Sequence, residues 1–471
     1  MKKIISVSIA IVMLLQVCIF AFAHFNAPAL TKAEWDTLYN SLKDDNTLPM
    51  LCVGADETEV GLCWHADKET AVAQVRVADN ADMNGAEIFT GEKTDAENDE
   101  QVVCRVTVTG LKENSTYYYQ WYSDNGWSKA CKYETKSFGA HKALVIGDIQ
   151  IGGQTESTEV QSMNGYTWNS VLAEALSKNP DASFMLSAGD NTSTGQTAAE
   201  WQTLLMPEAL RSLPLALAIG NHDKKGMMYN YYTNMPNEYF GKYFEGLDRD
   251  FWFRYGDVLY LVFDACSPSA ADHMAMAKEA VEANPDAKWR IGVMHQALFG
   301  PGYSALDAET MILLNAVFSP IFDSFDVDLV LTGHSHLQGR SHFIWESLVV
   351  GKAESGKTYT DPRGTVYLNT NAICDQGSFS GSAQYMAYSF YDNDVTTYTT
   401  LEFEGDTLKI ETKRGDNSEL LDSLTLKKTK DFKDNGILQK LHRFVYKFVE
   451  FLGIVYQKID NVVVAIRGGH F

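Results

Sequence analysis

Cationic residues are scarce in this chain of 471 residues: 39 Lys and Arg stand against 61 Asp and Glu, a formal charge of −22. A surface of that sign repels phosphate backbones, which excludes nucleic acid as a partner. Any anionic substrate must then meet a strong local positive centre. Internal repeats and low-complexity tracts are also missing, which sets aside a repeat architecture. Cysteine is sparse, with seven residues in all. Six of them, Cys52, Cys63, Cys104, Cys131, Cys266 and Cys374, follow the N-terminal stretch. An even number fits an oxidising compartment, yet several read equally well as small buried apolar residues, so the pairing stays open.

What is present is enough for two ordinary domains, since 45% of the residues are hydrophobic and the turn residues are spread along the chain. Residues 1–23 have the layout of a secretory signal peptide: two lysines, an apolar run from Ile4 to Phe20, and Ala21-Phe22-Ala23 as a small-x-small site. The rival reading is an uncleaved membrane anchor. Cys18 hints at a lipoprotein site, but Val17 is bulky where a small residue is expected. The expected location is therefore secreted or at the cell surface, with anchoring through an uncleaved N-terminus as the alternative.

After a short N-terminal segment, 24–49, residues 50–137 are strand-like. "AVAQVRV", "QVVCRVTVTGL", "TYYYQWY" and "KYETKSF" are rich in β-branched and aromatic residues separated by Gly, Asn and Asp. Short alternating strands at that spacing predict a small β-sandwich. Within it, "TGLKENSTYYYQW" resembles the Leu-to-Tyr corner of fibronectin type III folds, with Leu111 and Tyr117 in the matching places. Tyr117 is then a structural residue.

From 138 to 429 apolar strands alternate with helix-length segments, which predicts an α/β layered domain with strands buried on both faces. Its last strands, from "AYSFYDNDV" to "SLTLKK", are expected to close the domain as a second sheet. From residue 430 onward Ile437, Leu441, Phe444, Val445, Phe448, Leu452 and Val455 recur at helical spacing, with Lys440, Arg443, Lys447 and Lys458 interspersed. Charges interrupt this amphipathic helix too often for a membrane span. It either packs on the protein or lies peripherally on an anionic membrane surface.

The chemistry concentrates at strand ends. "LTGHSHLQGR" sets His334 and His336 one residue apart just after the apolar run "VDLVL". In an open α/β sheet the carboxyl ends of the strands converge on one edge. Those ends carry Asp148, Asp190, Asn221 with His222 and Asp223, His295, and the His334/His336 pair. Each alone reads as an ordinary turn residue. Together they offer only carboxylate, amide oxygen and imidazole, the ligand set of hard to borderline metals such as Mn, Fe or Zn.

"GDIQ", "GDN", "GNHD", "VMHQ" and "GHSH", in that order with helices between, resemble the signature blocks of the calcineurin-like metallophosphoesterases. The β-sandwich before them makes the purple acid phosphatases and their bacterial relatives the nearest likeness. The resemblance covers about residues 50–429 and implies a four-layer αββα domain after the sandwich.

It also implies two divalent or trivalent ions, Fe, Mn or Zn. Asp190 would bridge them, Asp148 and His336 would complete one site, and Asn221, His295 and His334 the other. Asn221 and His222 would face the phosphate, with His222 as proton donor and Asp223 orienting its ring. Two departures stand out. Gln150, a weaker oxygen donor, replaces the histidine usual in the first block. Ser193 replaces the tyrosine of the colour-giving enzymes, so no purple iron centre is expected.

Arg254 and Arg340 are candidate phosphate contacts, with an ordinary ion pair as the simpler reading for both. The implied activity is a secreted acid phosphatase-like phosphomonoesterase acting on a small phosphorylated substrate, in which metal-bound hydroxide attacks phosphorus. Phosphodiester or nucleotide hydrolysis is the alternative within the same chemistry. A non-catalytic surface protein on the same fold is the alternative from another class. The sequence says nothing about oligomeric state.

Overall fold

The computed structural model of the chain describes residues 30–430, apart from residues 46, 70, 124–125, 154–156, 227, 243–248, 268, 302–307, 375–385 and 391–394. The stretch resembling a signal peptide and the helical pattern after residue 430 lie outside the described residues.

Two large sheets face each other, and helices cover their outer faces. The strand Val258–Phe263 shows why a continuous apolar run is needed between such layers. Val258, Tyr260 and Val262 point into the core between the sheets, whereas Leu259, Leu261 and Phe263 pack against the helices Ala270–Ala283 and Ala308–Ser324. Side chains alternate along a strand, so a strand buried on both faces must be apolar at every position. On the far side, the helix Thr158–Lys178 sets Trp168, Leu172 and Leu176 against the first sheet. The order helix, sheet, sheet, helix is the αββα arrangement that the resemblance implies.

Among the described residues the first sheet has eleven strands and the second seven. In the first, His141–Ile146 pairs in parallel with Ala182–Ser187, which pairs in parallel with Leu215–Leu217. In the second, Trp289–Met294 pairs in parallel with Leu329–Thr332. Ile146, Ser187 and Leu217 are register neighbours, as are Val293 and Leu331. The residues that come after all five strands therefore emerge at one rim.

The strands Thr397–Glu404, Thr407–Arg414 and Leu420–Lys427 differ from expectation. They do not form a separate closing sheet; Thr397–Glu404 lies antiparallel to His141–Ile146 and extends the first sheet. The strand Met50–Val53 pairs in parallel with Leu215–Leu217 through Cys52 and Leu215, so the same sheet also runs on into the N-terminal strands. A five-stranded sheet packs over that end around Leu62, Trp64, Val75, Val106 and Trp121. There the Tyr117 hydroxyl accepts the Lys112 backbone N–H at 2.8 Å, which locks the corner as a structural device.

None of the six cysteines after the N-terminal stretch is joined in a disulfide among the described residues. Cys52, Cys63 and Cys104 are buried, so they serve as small apolar side chains and lend no support to a disulfide framework.

Candidate metal centre

At the rim the chain bends sharply, and the bends fall on the chemistry-bearing residues themselves. Asp148, Gln150, Asp190, His334 and His336 all have positive φ, between 47° and 70°. A non-glycine residue in that region costs about 1–3 kcal/mol and persists only where surrounding contacts enforce it. The glycines in "GD", "GN" and "GH" have a steric cause. A Cβ on Gly189 would stand 2.8 Å from the His295 side chain. One on Gly220 would strike the Asp190 carboxylate, and one on Gly333 the Asp148 carboxylate. The loops approach each other too closely for any side chain between them.

The convergence is tight. Donor atoms of Asp148, Asp190 and His295 lie within 4.8 Å of one another, and all three residues are buried. His295 Nε2 is 3.0 Å from Asp190 Oδ2 and 3.0 Å from Asn221 Oδ1. His334 Nδ1 is 2.9 Å from the same Asn221 oxygen and 3.3 Å from His295 Nε2. His336 Nε2 faces Asp148 Oδ1 at 3.5 Å, and both Asp148 oxygens accept the His334 backbone N–H at 3.0 Å. Gln150 Nε2 reaches Asp190 Oδ2 at 3.4 Å, while its buried Oε1 has no hydrogen-bond partner.

This donor set fits divalent cations. Two buried carboxylates, two amide groups and three imidazoles turn towards one another. The orphaned Gln150 oxygen is the kind of buried acceptor that calls for a positive partner. The His295 ring is already oriented for a ligand's role, because Nδ1 donates to the Ala188 carbonyl at 2.9 Å and so directs Nε2 at Asp190 and Asn221. Burial disfavours charge on this ring, but Asp190 outweighs burial and holds its pKa above the ordinary value. Asp190 is buried too, and His295 with His222 nevertheless holds it below the usual carboxylate range. A metal ion would take the place of the proton that this pairing retains.

His222 and Asp223 do not form the expected pair. The Asp223 carboxylate accepts from Asn191 N and Nδ2, from Thr192 N and Oγ1, and from Gly220 N, at 2.9–3.2 Å. Those five donors fix it between two loops, so it cannot turn to the neighbouring ring. Burial and the nearby Asp190 charge push its pKa up to about 6. The His222 ring is oriented instead by the Ser193 carbonyl, which accepts from Nδ1 at 2.6 Å. The His222 backbone N–H donates to Asp190 Oδ1 at 2.7 Å.

Both arginine expectations are corrected. Arg254 is paired bidentately with Asp286 at 2.8 and 2.9 Å, and it sits beside Leu259 at the start of its neighbouring strand, the edge opposite the site. Arg340 is fully buried, bidentate to Asp422 at 2.6 and 3.1 Å, with a further bond to the Ala353 carbonyl. A guanidinium so engaged has no donors for phosphate. An exposed cation at this rim is Lys225, whose Nζ lies 3.1 Å from His222 Nδ1. Sequence reasoning passed over it, because an exposed lysine in a Lys-Lys pair carries no signal.

Comparison with known proteins agrees with this geometry. Residues 141–338, which contain every candidate ligand, match the calcineurin-like phosphoesterase family, and residues 49–135 match the N-terminal domain of purple acid phosphatases. Comparison with curated proteins gives no match. Among solved structures, purple acid phosphatase PPD1 from yellow lupin (Lupinus luteus) superposes with a TM-score of 0.65 at 14% identity, covering 81% of this chain and 74% of the lupin chain. PhoD superposes with a TM-score of 0.54 at 10% identity, covering 89% of this chain and 99% of its own. At such identities the superpositions establish the fold. The two sequence matches give the chain a purple acid phosphatase N-terminal domain followed by a calcineurin-like metallophosphoesterase domain, the domain of a phosphoric ester hydrolase.

Proposed function

We propose that the protein is a secreted phosphomonoesterase that holds two metal ions, with Fe, Mn or Zn as the candidates. The observation that carries this reading is the way the contacts at the rim divide. Asp148 faces His336, Asn221 faces both His295 and His334, and Asp190 lies between, touching His295 and Gln150. In this reading Asp148 and His336, with Gln150 as a weaker donor, hold one ion. Asn221, His295 and His334 hold the other, and Asp190 bridges. Ser193 in place of a tyrosine phenolate supports a centre without the purple colour.

Bound ions would neutralise the ester's negative charge, orient it, and bring the pKa of water from 15.7 down towards about 7. The rest falls to the chain. Asn221 and His222 flank the phosphate. Because His222 Nδ1 donates to Ser193, its Nε2 is the atom left to hand a proton to the departing oxygen. A well-placed acid of this kind contributes roughly a hundred- to ten-thousand-fold. Lys225 adds local positive charge beside that ring on a chain whose net charge otherwise repels phosphate.

Secretion rests on the lysines, apolar run and Ala-Phe-Ala site of residues 1–23. The amphipathic segment after residue 430 is assigned to packing on the protein, with membrane contact as its alternative. The test of function compares p-nitrophenyl phosphate with bis(p-nitrophenyl) phosphate, with Mn, Fe and Zn supplied separately. Faster turnover of the monoester is expected. Preference for the diester would overturn the monoesterase reading, and no release from either would overturn both.

A further inference from the structure

The strands Phe343–Trp345 and Leu348–Gly351 form a two-stranded hairpin that belongs to neither large sheet. Its outgoing strand is anchored, with Phe343 and Ile344 buried. The returning strand is bare: Leu348, Val349 and Val350 are 67%, 47% and 42% exposed. Successive side chains on a strand point to opposite faces, so three exposed apolar neighbours leave both faces uncovered. A contiguous apolar patch marks a contact surface, whereas a single exposed apolar residue marks nothing.

The course of the chain identifies the occupant. Thr429 donates its N–H and its hydroxyl to the Asp361 carboxylate, each at 2.8 Å, and the Lys430 N–H donates to it at 3.3 Å. Three residues beyond Asp361, a Cβ on Gly364 would stand 3.0 Å from Val350 Cγ2. Three residues span about 10 Å at most, and with the Asp361 side chain and the contacts at either end the chain leaves the described fold within roughly 20 Å of the patch, a gap that residues 431–436 can cross.

Residues 431–471 continue the chain from that point, and in them Ile437, Leu441, Phe444, Val445, Phe448 and Leu452 lie at helical spacing. That apolar face needs a partner, and the hairpin carries the one run of consecutive exposed large apolar residues among the described residues. Charge points the same way: residues 431–471 carry six Lys and Arg against four Asp and Glu, in a chain whose net charge is −22. The acidic body attracts such a segment, and it is itself repelled by an anionic membrane.

We propose that the amphipathic segment 437–455 folds back onto its own chain and covers Leu348, Val349 and Val350. The test uses the full chain with a photoreactive benzoylphenylalanine in place of Val349, irradiated with and without vesicles of phosphatidylserine and phosphatidylcholine. Cross-links to residues 437–455 of the same chain are expected in both conditions. Cross-links only to a second copy, only to lipid, or to no residue of this segment would overturn the proposal.

A second measurement guards against an unproductive probe. In the full chain carrying L348D and V350D, tryptic cleavage at Lys440, Arg443 and Lys447 should accelerate by about tenfold or more, as for a local contact that has been released. Phosphate release should stay unchanged. Equal cleavage rates in the variant and the parent would also overturn the proposal.

Discussion

The Nδ1 atom of His222 lies 2.6 Å from the carbonyl oxygen of Ser193, in the loop that also carries Asp190. The ring and the carboxylate at the heart of the site are thus set by one loop. With Nδ1 committed to that carbonyl, the proposed proton transfer falls to Nε2. Replacement of His222 by alanine should retain bound metal and slow turnover about a hundredfold or more. The loss should be larger for alkyl than for aryl phosphates, whose leaving groups need no proton. Equal slowing of both classes would argue against an acid role.

Asp223 plays a different part, and its replacement should look different. Its carboxylate ties Asn191, Thr192 and Gly220 together in a buried place. Asp223→Ala should lower folding stability by about 3 kcal/mol or more, because several buried donors lose their acceptor. Urea unfolding measures this. An Asp223→Ala protein as stable as the parent, yet inactive, would return the residue to a catalytic role.

Arg340 makes the opposite test. Arg340→Met leaves the Asp422 carboxylate buried without its partner, a change expected to cost about 3–5 kcal/mol. KM for any substrate should hold constant in whatever fraction remains folded. A raised KM with unchanged stability would restore the phosphate-contact reading.

Acid should weaken the fold through His141. Its ring is buried among Phe184, Tyr255 and Phe403, with Nε2 on the Tyr260 hydroxyl at 2.9 Å. Burial pushes its pKa down from 6.5 to about 4. The fold therefore prefers the neutral ring. That stability is fully present above pH 6.5 and is lost as pH falls towards 4, on the order of 3 kcal/mol. His141→Gln should flatten the dependence of the urea midpoint on pH across that window. An unchanged slope would place the titration elsewhere.

The strand ends were legible because fully buried parallel strands must be apolar throughout, so each Gly-polar break in "ALVIGD", "SFMLSAGD" and "LVLTGHSH" shows where a strand stops. A layered α/β domain was legible in the same runs, whereas the four-layer αββα order came only from the family resemblance. The partners of Arg254 and Arg340 were not, since Asp286 and Asp422 lie 32 and 82 residues away. The Ser193 contact was invisible for another reason, because every residue has a carbonyl. Nor could a linear pattern show that Thr397–Glu404 would pair beside His141–Ile146, or that Cys52 would join Leu215 and carry one sheet through both halves.

The most direct test of the centre is the metal content of the purified protein set beside that of Asp190→Asn. Two ions per chain are expected in the parent. The variant should lose both together, along with phosphate release, because the bridge serves both. A parent that binds no metal when Mn, Fe and Zn are supplied, or a variant that keeps both ions and full activity, would contradict the account.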